Sequence, residues 1–276
     1  MDAHTELGQD RAHSARMYDY YLGGKTNYRA DREAAAGVLR VYPGALVAAR
    51  ENRGFMHRAT RYAAEELGIR QFFDIGTGIP TEPNLYQVAH RFQPDARVVY
   101  TDNDPIVLAY DRALLTAGPP AAIAYIDADV REPETILERA AETLDFDEPV
   151  ALSLVALLHF IPRGDDPHRL VARLTERLAT GSLLVLSHAT TDFDLPDSTH
   201  TVAAAARAYE EKGLMLGRVT REEMGAFFEG LELAAPGLVP TSEWRPDLDL
   251  AEGLQRLPGM ISPDEVGVWA GVGRKP

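Results

Sequence analysis

Around residue 75 the chain reads Phe73-Asp74-Ile75-Gly76-Thr77-Gly78-Ile79-Pro80, and this stretch decides the fold. A short apolar strand runs directly into two glycines, which let the backbone turn sharply and approach a ligand without a Cβ atom in the way. The third glycine of the dinucleotide fingerprint is missing, because position 81 is Thr. A pyrophosphate also prefers a neutral or positive turn, whereas the carboxylate of Asp74 suits a ligand with a cationic amine.

Strands and helices alternate regularly after Gly68. Strands are predicted at 71–75, 97–101, 121–126, 149–157 and 183–187, and helices at 81–92, 105–118, 133–143, 166–178 and 198–212. Two more strands are predicted near 232–240 and 265–273. Pro236 and Pro240 indicate that the first of these bends or lies at an edge. This alternation predicts a parallel, doubly wound α/β sheet with right-handed crossovers.

The region before the first strand has a different pattern. Residues 1–67 are predicted to form a frayed tail and a helical cap or lid, and residues 68–276 the ligand-binding domain. Three tyrosines between Tyr18 and Tyr21 precede the pair Gly23-Gly24. Amphipathic aromatic side chains beside flexible glycines suit a lid that closes over a ligand. They equally suit an N-terminal helix that packs permanently onto the sheet, and both interpretations stay open.

Composition excludes several chemistries. The 276 residues contain no cysteine, so disulfides, thiolate zinc sites, iron–sulfur clusters and cysteine nucleophiles are excluded. A net charge of −14 argues against a nucleic-acid partner. No apolar run reaches the roughly 18 residues that a membrane span needs. The first residues lack the pattern of a signal peptide, and a cytoplasmic location is the default expectation.

Acidic residues stand at the ends of three consecutive predicted strands. Asp74 ends the first strand, Asp102 the second, and Asp129 follows the third. Ligands of such sheets bind beyond the carboxyl ends of the strands. In that position Asp74 can bind an amine, Asp102 both hydroxyls of a ribose, and Asp129 an exocyclic amine such as adenine N6. Each acid alone could simply cap the following helix, but the three in this order match one ligand.

The chain resembles the actinobacterial S-adenosyl methyltransferase family, long catalogued as a domain of unknown function. The resemblance covers nearly the whole chain. Its most specific segments are 15–25, 73–80, 100–105, 155–160 and 269–274. It implies a class I methyltransferase sheet of seven strands in the order 3-2-1-4-5-7-6, with the last strand antiparallel. It also implies bound S-adenosyl-L-methionine or its product S-adenosyl-L-homocysteine. The wider superfamily usually has a glycine where this chain has Pro80.

These considerations predict one cofactor site and two candidate catalytic residues. The predicted cofactor-binding residues are Asp74, Gly76, Thr77, Gly78, Asp102, Asn103, Asp129, Val130, Val155, Tyr18 and Gly23. His159 follows the fourth strand and His188 ends the fifth, so either could act as a general base near the reactive end of the cofactor. Either could instead only hydrogen-bond a neighbouring loop. A metal site formed by His188 with Asp192 and Asp194 is conceivable but not favoured, and no metal is predicted.

The preferred function is methyl transfer to a small-molecule hydroxyl or carboxyl group. No Asn/Asp-Pro-Pro-Tyr motif follows the fourth strand, where Leu157-Leu158-His159-Phe160 stands instead, and this disfavours amino-group methylation of nucleobases or amides. A protein that binds S-adenosylmethionine without transferring its methyl group is the main alternative. A nicotinamide oxidoreductase is the weaker one. The sequence gives no indication of the oligomeric state.

Overall fold

The computed structural model describes residues 8–109, 123–250 and 259–276. One sheet forms the centre of the molecule. Its strands are β1 (Gln71–Ile75), β2 (Arg97–Asp102), β3 (Ile123–Asp127), β4 (Ala151–Leu154), β5 (Leu183–Ala189), β6 (Glu232–Leu233), β7 (Val239–Pro240) and β8 (Val268–Arg274). Strands β1 to β5 are parallel, and β8 lies antiparallel to β5. The doubly wound α/β fold predicted from the alternation of elements is confirmed.

The strand order is β3-β2-β1-β4-β5-β8-β6, and β7 also pairs with β8. Because β6 and β7 are the two ends of the predicted sixth strand, this is the expected order 3-2-1-4-5-7-6. The predicted strand at 232–240 is therefore interrupted, with residues 234–238 between its two short pieces. Pro236 lies in that interruption, where a residue without a backbone N–H group removes no ladder hydrogen bond.

Helices cover both faces of the sheet. They are α1 (Ser14–Tyr21), α2 (Arg29–Val41), α3 (Ala45–Arg61), α4 (Leu85–Phe92), α5 (Pro133–Ala140), α6 (Pro167–Glu176), α7 (Val202–Glu210), α8 (Arg221–Ala226) and α9 (Pro263–Val266). Side chains of β1 alternate between two apolar clusters: Phe73 packs with Ile136 of α5, and Phe72 packs with Phe55 of α3. Every residue of β1 is buried, as expected for a strand covered on both faces.

The N-terminal helices form a third apolar cluster. Met17 of α1, Ala35 of α2 and Ala49 of α3 pack together with Ala205 of α7. The segment that contains Gly23-Gly24 separates α1 from α2, and residues 42–44 separate α2 from α3. The helical region is therefore attached to α7, which follows β5, and lies beside the carboxyl ends of the central strands.

Several predicted boundaries were wrong for identifiable local reasons. The helix predicted to begin at residue 81 begins at Leu85, because Asn84 and Gln87 form a capping box there. The helix predicted from residue 198 begins at Val202, where the Thr201 hydroxyl caps it. The strand predicted from residue 265 begins only at Val268, after the short helix α9. Of the helix predicted at 105–118, residues 105–109 are helical and the remainder lies outside the described residues.

The fourth and fifth strands also differ from their predicted lengths. Strand β4 ends at Leu154 and not at residue 157, because Ala156 has a φ of 57° and cannot continue an extended strand. Strand β5 extends to Ala189, so that His188 lies inside the strand instead of at its end. In the described part of the chain, no helix is both long and apolar enough to cross a membrane.

Candidate active site

The glycine loop after β1 folds over the end of β2. The backbone N–H groups of Gly76 and Thr77 donate to the carbonyl oxygen of Thr101 at 2.8 and 3.2 Å. Gly76 and Gly78 both have positive φ angles, of 77° and 66°. A Cβ atom on Gly76 would lie 2.7 Å from the side chain of Leu157, whereas one on Gly78 would meet nothing within 4 Å. The loop is thus packed on one side at Gly76 and open at Gly78.

Asp102 closes this loop from the end of β2. Its Oδ2 accepts a hydrogen bond from the Gly78 N–H at 2.9 Å, and its Oδ1 accepts one from the Asp104 N–H at 2.9 Å. Burial raises the pKa of the Asp102 carboxyl, and these two N–H donors act in the opposite direction. Each carboxylate oxygen can accept a second hydrogen bond, so Asp102 keeps acceptor capacity for a ligand.

Asp74 lies at the neighbouring strand end and is deeply buried. Burial raises the pKa of its carboxyl to about 7, while the guanidinium of Arg53 lowers it and the charge of Asp102 raises it further. A buried carboxylate near its pKa at neutral pH gains from a cation brought beside it. The position therefore favours a ligand with a positively charged group.

Asp129 follows β3 and is held by two neighbours. Its Oδ2 accepts from the Asn103 amide at 2.9 Å and from the Arg131 guanidinium at 2.6 Å. The hydrogen bond with Arg131 lowers the pKa of the Asp129 carboxyl to about 2. Asp129 is therefore ionised at neutral pH, and in this conformation Asn103 and Arg131 together donate four hydrogen bonds to its two oxygens.

These strand ends surround one cavity with a volume of about 430 Å³, within the usual range for cofactor sites. Ten of the eleven residues predicted to bind a cofactor line it, namely Asp74, Gly76, Thr77, Gly78, Asp102, Asn103, Asp129, Val130, Val155 and Tyr18. The eleventh, Gly23, is not among the described residues that line it. Gly23 instead ends α1 with a φ of 79°, which allows the chain to reverse there.

Sequence reasoning missed the contribution of α3 to this cavity. Asn52, Arg53 and Met56 line it from one side of that helix. Arg53 donates through Nη2 to the carbonyl oxygens of Thr81 and Pro83, the latter at 2.9 Å. Its Nε is buried and has no hydrogen-bond partner among the described residues. An arginine within a predicted helix gave no signal of this role, because its approach to Asp74 depends on tertiary packing.

A chain of hydrogen bonds fixes α1 and α3 to the sheet. The Ala156 N–H donates to Ser187 Oγ at 2.9 Å, and Ser187 Oγ donates to Asn52 Oδ1 at 2.6 Å. The amide of Asn52 donates to the hydroxyl of Tyr18 at 3.0 Å, which itself donates to the Ala49 carbonyl at 2.9 Å. Tyr18 and the glycine pair that follows it are thus tied to the core in this conformation.

The segment around Gly23-Gly24 has a second anchor in Asp19. Asp19 is buried, and its Oδ2 accepts from the Thr26 N–H at 2.9 Å and from the Asn27 amide at 2.8 Å. Both bonds cross the glycine pair and hold the connection between α1 and α2. This geometry favours a fixed cap over a freely moving lid.

The two candidate catalytic histidines lie close to each other, and neither is among the described residues that line the cofactor cavity. The rings of His159 and His188 are 5.6 Å apart and nearly perpendicular. Burial lowers the pKa of His159 well below its usual value, and burial lowers that of His188 to about 4. Nδ1 of His188 lies 2.9 Å from the Ala189 carbonyl. Nδ1 of His159 has no hydrogen-bond partner among the described residues.

The acids that follow β5 have structural partners. Asp192 accepts from the N–H of Arg221 at 2.7 Å and from the indole of Trp269 at 2.9 Å. Asp194 accepts from the N–H of Val202 at 2.8 Å, at the beginning of α7. These hydrogen bonds explain both carboxylates without a metal ion.

Comparison with known proteins places this site in a family. The sequence profile described as S-adenosyl methyltransferase matches residues 1–276. The chain belongs to this S-adenosyl methyltransferase family. The glycine loop, the three strand-end carboxylates and the cavity volume fit S-adenosyl-L-methionine, which is the cofactor of the family. Among curated proteins, no sequence matches the chain.

Two solved structures are similar over the whole chain. A DUF574 family protein from Streptomyces avermitilis is 42% identical with a TM-score of 0.88, over 98% of this chain and 100% of that one. A protein from Thermobifida fusca is 40% identical with a TM-score of 0.86, over 98% and 97% of the two chains.

A more distant structure shows the same fold. The N-methyltransferase NodS from Bradyrhizobium japonicum, solved with S-adenosyl-L-homocysteine, is 12% identical with a TM-score of 0.50. The match covers 95% of this chain and 99% of that one. The chain is thus a member of an S-adenosylmethionine-dependent methyltransferase family with the class I fold, and the predicted family, fold and cofactor are confirmed.

Proposed function

We propose that this methyltransferase transfers the methyl group of S-adenosylmethionine to a hydroxyl group of a small molecule. The observation that carries the proposal is the convergence of Asp74, Asp102 and Asp129, from three neighbouring strand ends, on one cavity. When bound, S-adenosylmethionine supplies an activated methyl group on a sulfonium, and alignment of the acceptor with it can account for much of the rate enhancement.

Each part of the cofactor has a partner in this assignment. Asp74 binds the ammonium group, and the free Nε of Arg53 binds the adjacent carboxylate. Asp102 accepts hydrogen bonds from the ribose hydroxyls, while its bonds to the loop N–H groups hold it in place. Asp129 would accept a hydrogen bond from adenine N6 in place of one of its present donors on Asn103 or Arg131. The apolar side chains of Val130 and Val155 line the same cavity and would contact the faces of the adenine ring.

His159 is the proposed general base, and His188 positions it through the edge-to-face ring contact. Burial lowers the pKa of His159 and keeps it neutral at physiological pH. A neutral imidazole can accept a hydrogen bond from an acceptor hydroxyl and take its proton as the positive charge of the sulfonium is lost. A hydroxyl acceptor needs such a group, since its proton must leave during methyl transfer. The acidic chain, with a net charge of −14, favours a small molecule over a nucleic acid.

Binding and turnover test the two parts of this proposal separately. Isothermal titration calorimetry with S-adenosylmethionine and NAD tests the cofactor assignment, and we expect binding of the first alone. Transfer of isotopically labelled methyl groups into small-molecule extracts tests catalysis. We expect labelled products with the wild type and a loss of at least tenfold with His159→Asn. Cofactor binding without label transfer in any extract would instead support the binding-only alternative, and full activity of His159→Asn would contradict its role as the base.

A further inference from the structure

A second cavity of about 90 Å³ lies beside the cofactor cavity. The N-terminal helices, α7 and the beginning of β8 enclose it. Val38, Ala45, Ala205, Leu216 and Val268 are among the side chains that line it. Among the described residues that line this cavity, none is Asp, Glu, Lys or Arg. The apolar cavity therefore offers no counter-ion to a charged occupant, and transfer of a charge into such surroundings is strongly unfavourable.

The apolar cavity and the cofactor cavity share a wall. Five described residues line both, namely Ser14, Tyr18, Asn52, Ala156 and Phe160. Three of these five, Tyr18, Asn52 and Ala156, belong to the hydrogen-bonded chain that ties α1 and α3 to β5. At Ala156 the φ of 57° turns the backbone away from the strand, directly at this junction. A non-glycine residue with a φ in this left-handed region is strained, and such strain clusters at functional sites.

One polar side chain in the wall of the apolar cavity lacks a partner. His159 lines it and is 6% exposed, and its Nδ1 atom has no hydrogen-bond partner among the described residues. Four tyrosine hydroxyls in the wall lie close to other polar groups. The Tyr42 hydroxyl donates to the carbonyl oxygens of Asp264 and Glu265 at 2.9 and 3.0 Å, and the hydroxyls of Tyr21 and Tyr209 lie 3.4 Å apart. A ligand hydroxyl at His159 would satisfy a buried group that is otherwise unpaired.

We infer that the apolar cavity binds the methyl acceptor, and that the acceptor is a neutral, largely apolar small molecule with one hydroxyl group at His159. This inference rests on the proposed function and adds the class of substrate. The volume of about 90 Å³ is smaller than the roughly 150 Å³ of a cavity that holds benzene. The apolar cavity in this conformation therefore takes a short or narrow apolar group.

The reaction balances with S-adenosylmethionine, the hydroxyl acceptor and His159. A lone pair of the acceptor oxygen forms the new C–O bond to the transferred methyl carbon. The C–S bond breaks, and its electron pair stays on sulfur as a neutral thioether. The hydroxyl proton passes to the neutral imidazole of His159 while the sulfonium loses its positive charge, so the step adds no net charge to the site. Because burial lowers the pKa of His159, the imidazolium then gives up the proton to solvent when the product leaves. No oxidant or further reactant is required.

The wild-type protein saturated with S-adenosylhomocysteine provides a direct test. The probes are butan-1-ol, butyrate and butylammonium, which share a chain and differ in charge. We expect nuclear Overhauser contacts between butan-1-ol and the methyl groups of Val202 and Val268, and at least tenfold weaker binding of both ions. Equal binding of the ions, or contacts only elsewhere on the protein, would overturn the inference. Failure to bind S-adenosylhomocysteine would instead overturn the proposed function.

Two cavity-filling variants and one control sharpen the assignment. Ala205→Leu on α7 and Ala48→Leu on α3 place additional carbon atoms in the apolar cavity from different sides. Both should weaken butan-1-ol binding at least tenfold and leave S-adenosylhomocysteine affinity within twofold.

Ala203→Leu is the control, since Ala203 lies on α7, is half-buried and is not among the residues that line the apolar cavity. Because Ala48 is also only half-buried, its variant tests the inference even if Ala205→Leu fails to fold. Unchanged butan-1-ol affinity in a folded cavity variant would overturn the inference.

Discussion

In the proposed cofactor site, Asp74 couples the protonation state of the protein to binding of the cofactor. Its pKa of about 7 results from burial, opposed by the nearby charge of Arg53. A bound ammonium group requires the ionised carboxylate and lowers its pKa. Protonation of Asp74 therefore competes with the ligand as the pH falls below 7.

We predict that affinity for S-adenosylhomocysteine falls about tenfold between pH 7 and pH 5.5, because the carboxylate is mostly protonated at the lower pH. Calorimetry at pH 6 in two buffers with different ionisation enthalpies should show release of close to one proton on binding. In Asp74→Asn the proton release should disappear and the affinity should vary little with pH. If Asp74→Asn still releases a proton on binding, the proton comes from another group.

Asp102 offers a test of the ribose assignment. We predict that Asp102→Ala weakens cofactor binding at least tenfold, or about 1.4 kcal/mol. Because Asp102 also holds the Gly78 N–H, part of any loss could come from the loop. S-adenosylhomocysteine without its ribose hydroxyls separates the two effects: wild type and variant should bind it with affinities within threefold. A full loss of affinity for this analogue as well would assign the effect to the loop.

Residues of the cofactor site could be predicted from the sequence where they lie at the end of a predicted strand. Asp74, Asp102 and Asp129 follow apolar strands, and the carboxyl ends of parallel strands meet at one edge. Arg53 has no such local marker, because its position beside Asp74 depends on how α3 packs against the sheet. The absence of a hydrogen-bond partner at His159 Nδ1 is likewise a property of the packed structure that no sequence pattern encodes.

At the scale of elements, the hydrogen-bonded chain at the junction of the two cavities joins β5, the turn after β4, α3 and α1. Ser187 on β5 is fully buried and links the turn after β4 to Asn52 on α3, which in turn holds Tyr18 of α1. Its hydroxyl both accepts and donates, so no apolar side chain can replace it.

We predict that Ser187→Ala lowers the free energy of unfolding by about 1–3 kcal/mol, because the Ala156 N–H and the Asn52 amide oxygen lose their partner. Urea denaturation followed by circular dichroism measures this change. Ser153→Ala is a matched control, since Ser153 is similarly buried on the adjacent strand β4 and takes no part in this chain. An equal loss in both variants would show that the chain has no special role.

The limits of element prediction in this chain have local physical causes. Strands buried on both faces were recognised from their apolar runs, but an apolar run does not mark its own end. Val155, Ala156 and Leu157 continue the apolar pattern of β4 although the backbone leaves the strand. The capping box at Asn84 could have been read from its spacing to Gln87, and this would have corrected the beginning of α4.

At the scale of the whole molecule, the helical region before the sheet is not separate from the rest. Helix α3 packs directly on the sheet, and Tyr42 reaches the backbone of residues 264–265. The proposed domain boundary at residue 67 therefore stays a prediction, because helix α3 and Tyr42 pack across it. Strand order followed from the family resemblance, whereas the junction of the two cavities required the folded molecule.

Arg58 of α3 connects this region to the C-terminal segment through several hydrogen bonds. It is fully buried and donates to the carbonyl oxygens of Trp244 and Thr241 at 2.7 and 2.5 Å, and to Asp249 at 2.7 Å. Several fixed acceptors around one buried cation compensate for its lost hydration. Removal of the cation leaves these acceptors without their partner.

We predict that Arg58→Ala lowers the free energy of unfolding by about 3–5 kcal/mol. Arg29→Ala should change it by less than about 0.5 kcal/mol, because Arg29 is 87% exposed and pairs only with Glu33 one helical turn away. Denaturation monitored by tryptophan fluorescence, which reports on the two buried tryptophans Trp244 and Trp269, and by circular dichroism should give coincident transitions in the wild type. Two separate transitions would contradict a single cooperative unit. A small effect of Arg58→Ala would show that apolar packing alone holds the N-terminal helices on the sheet.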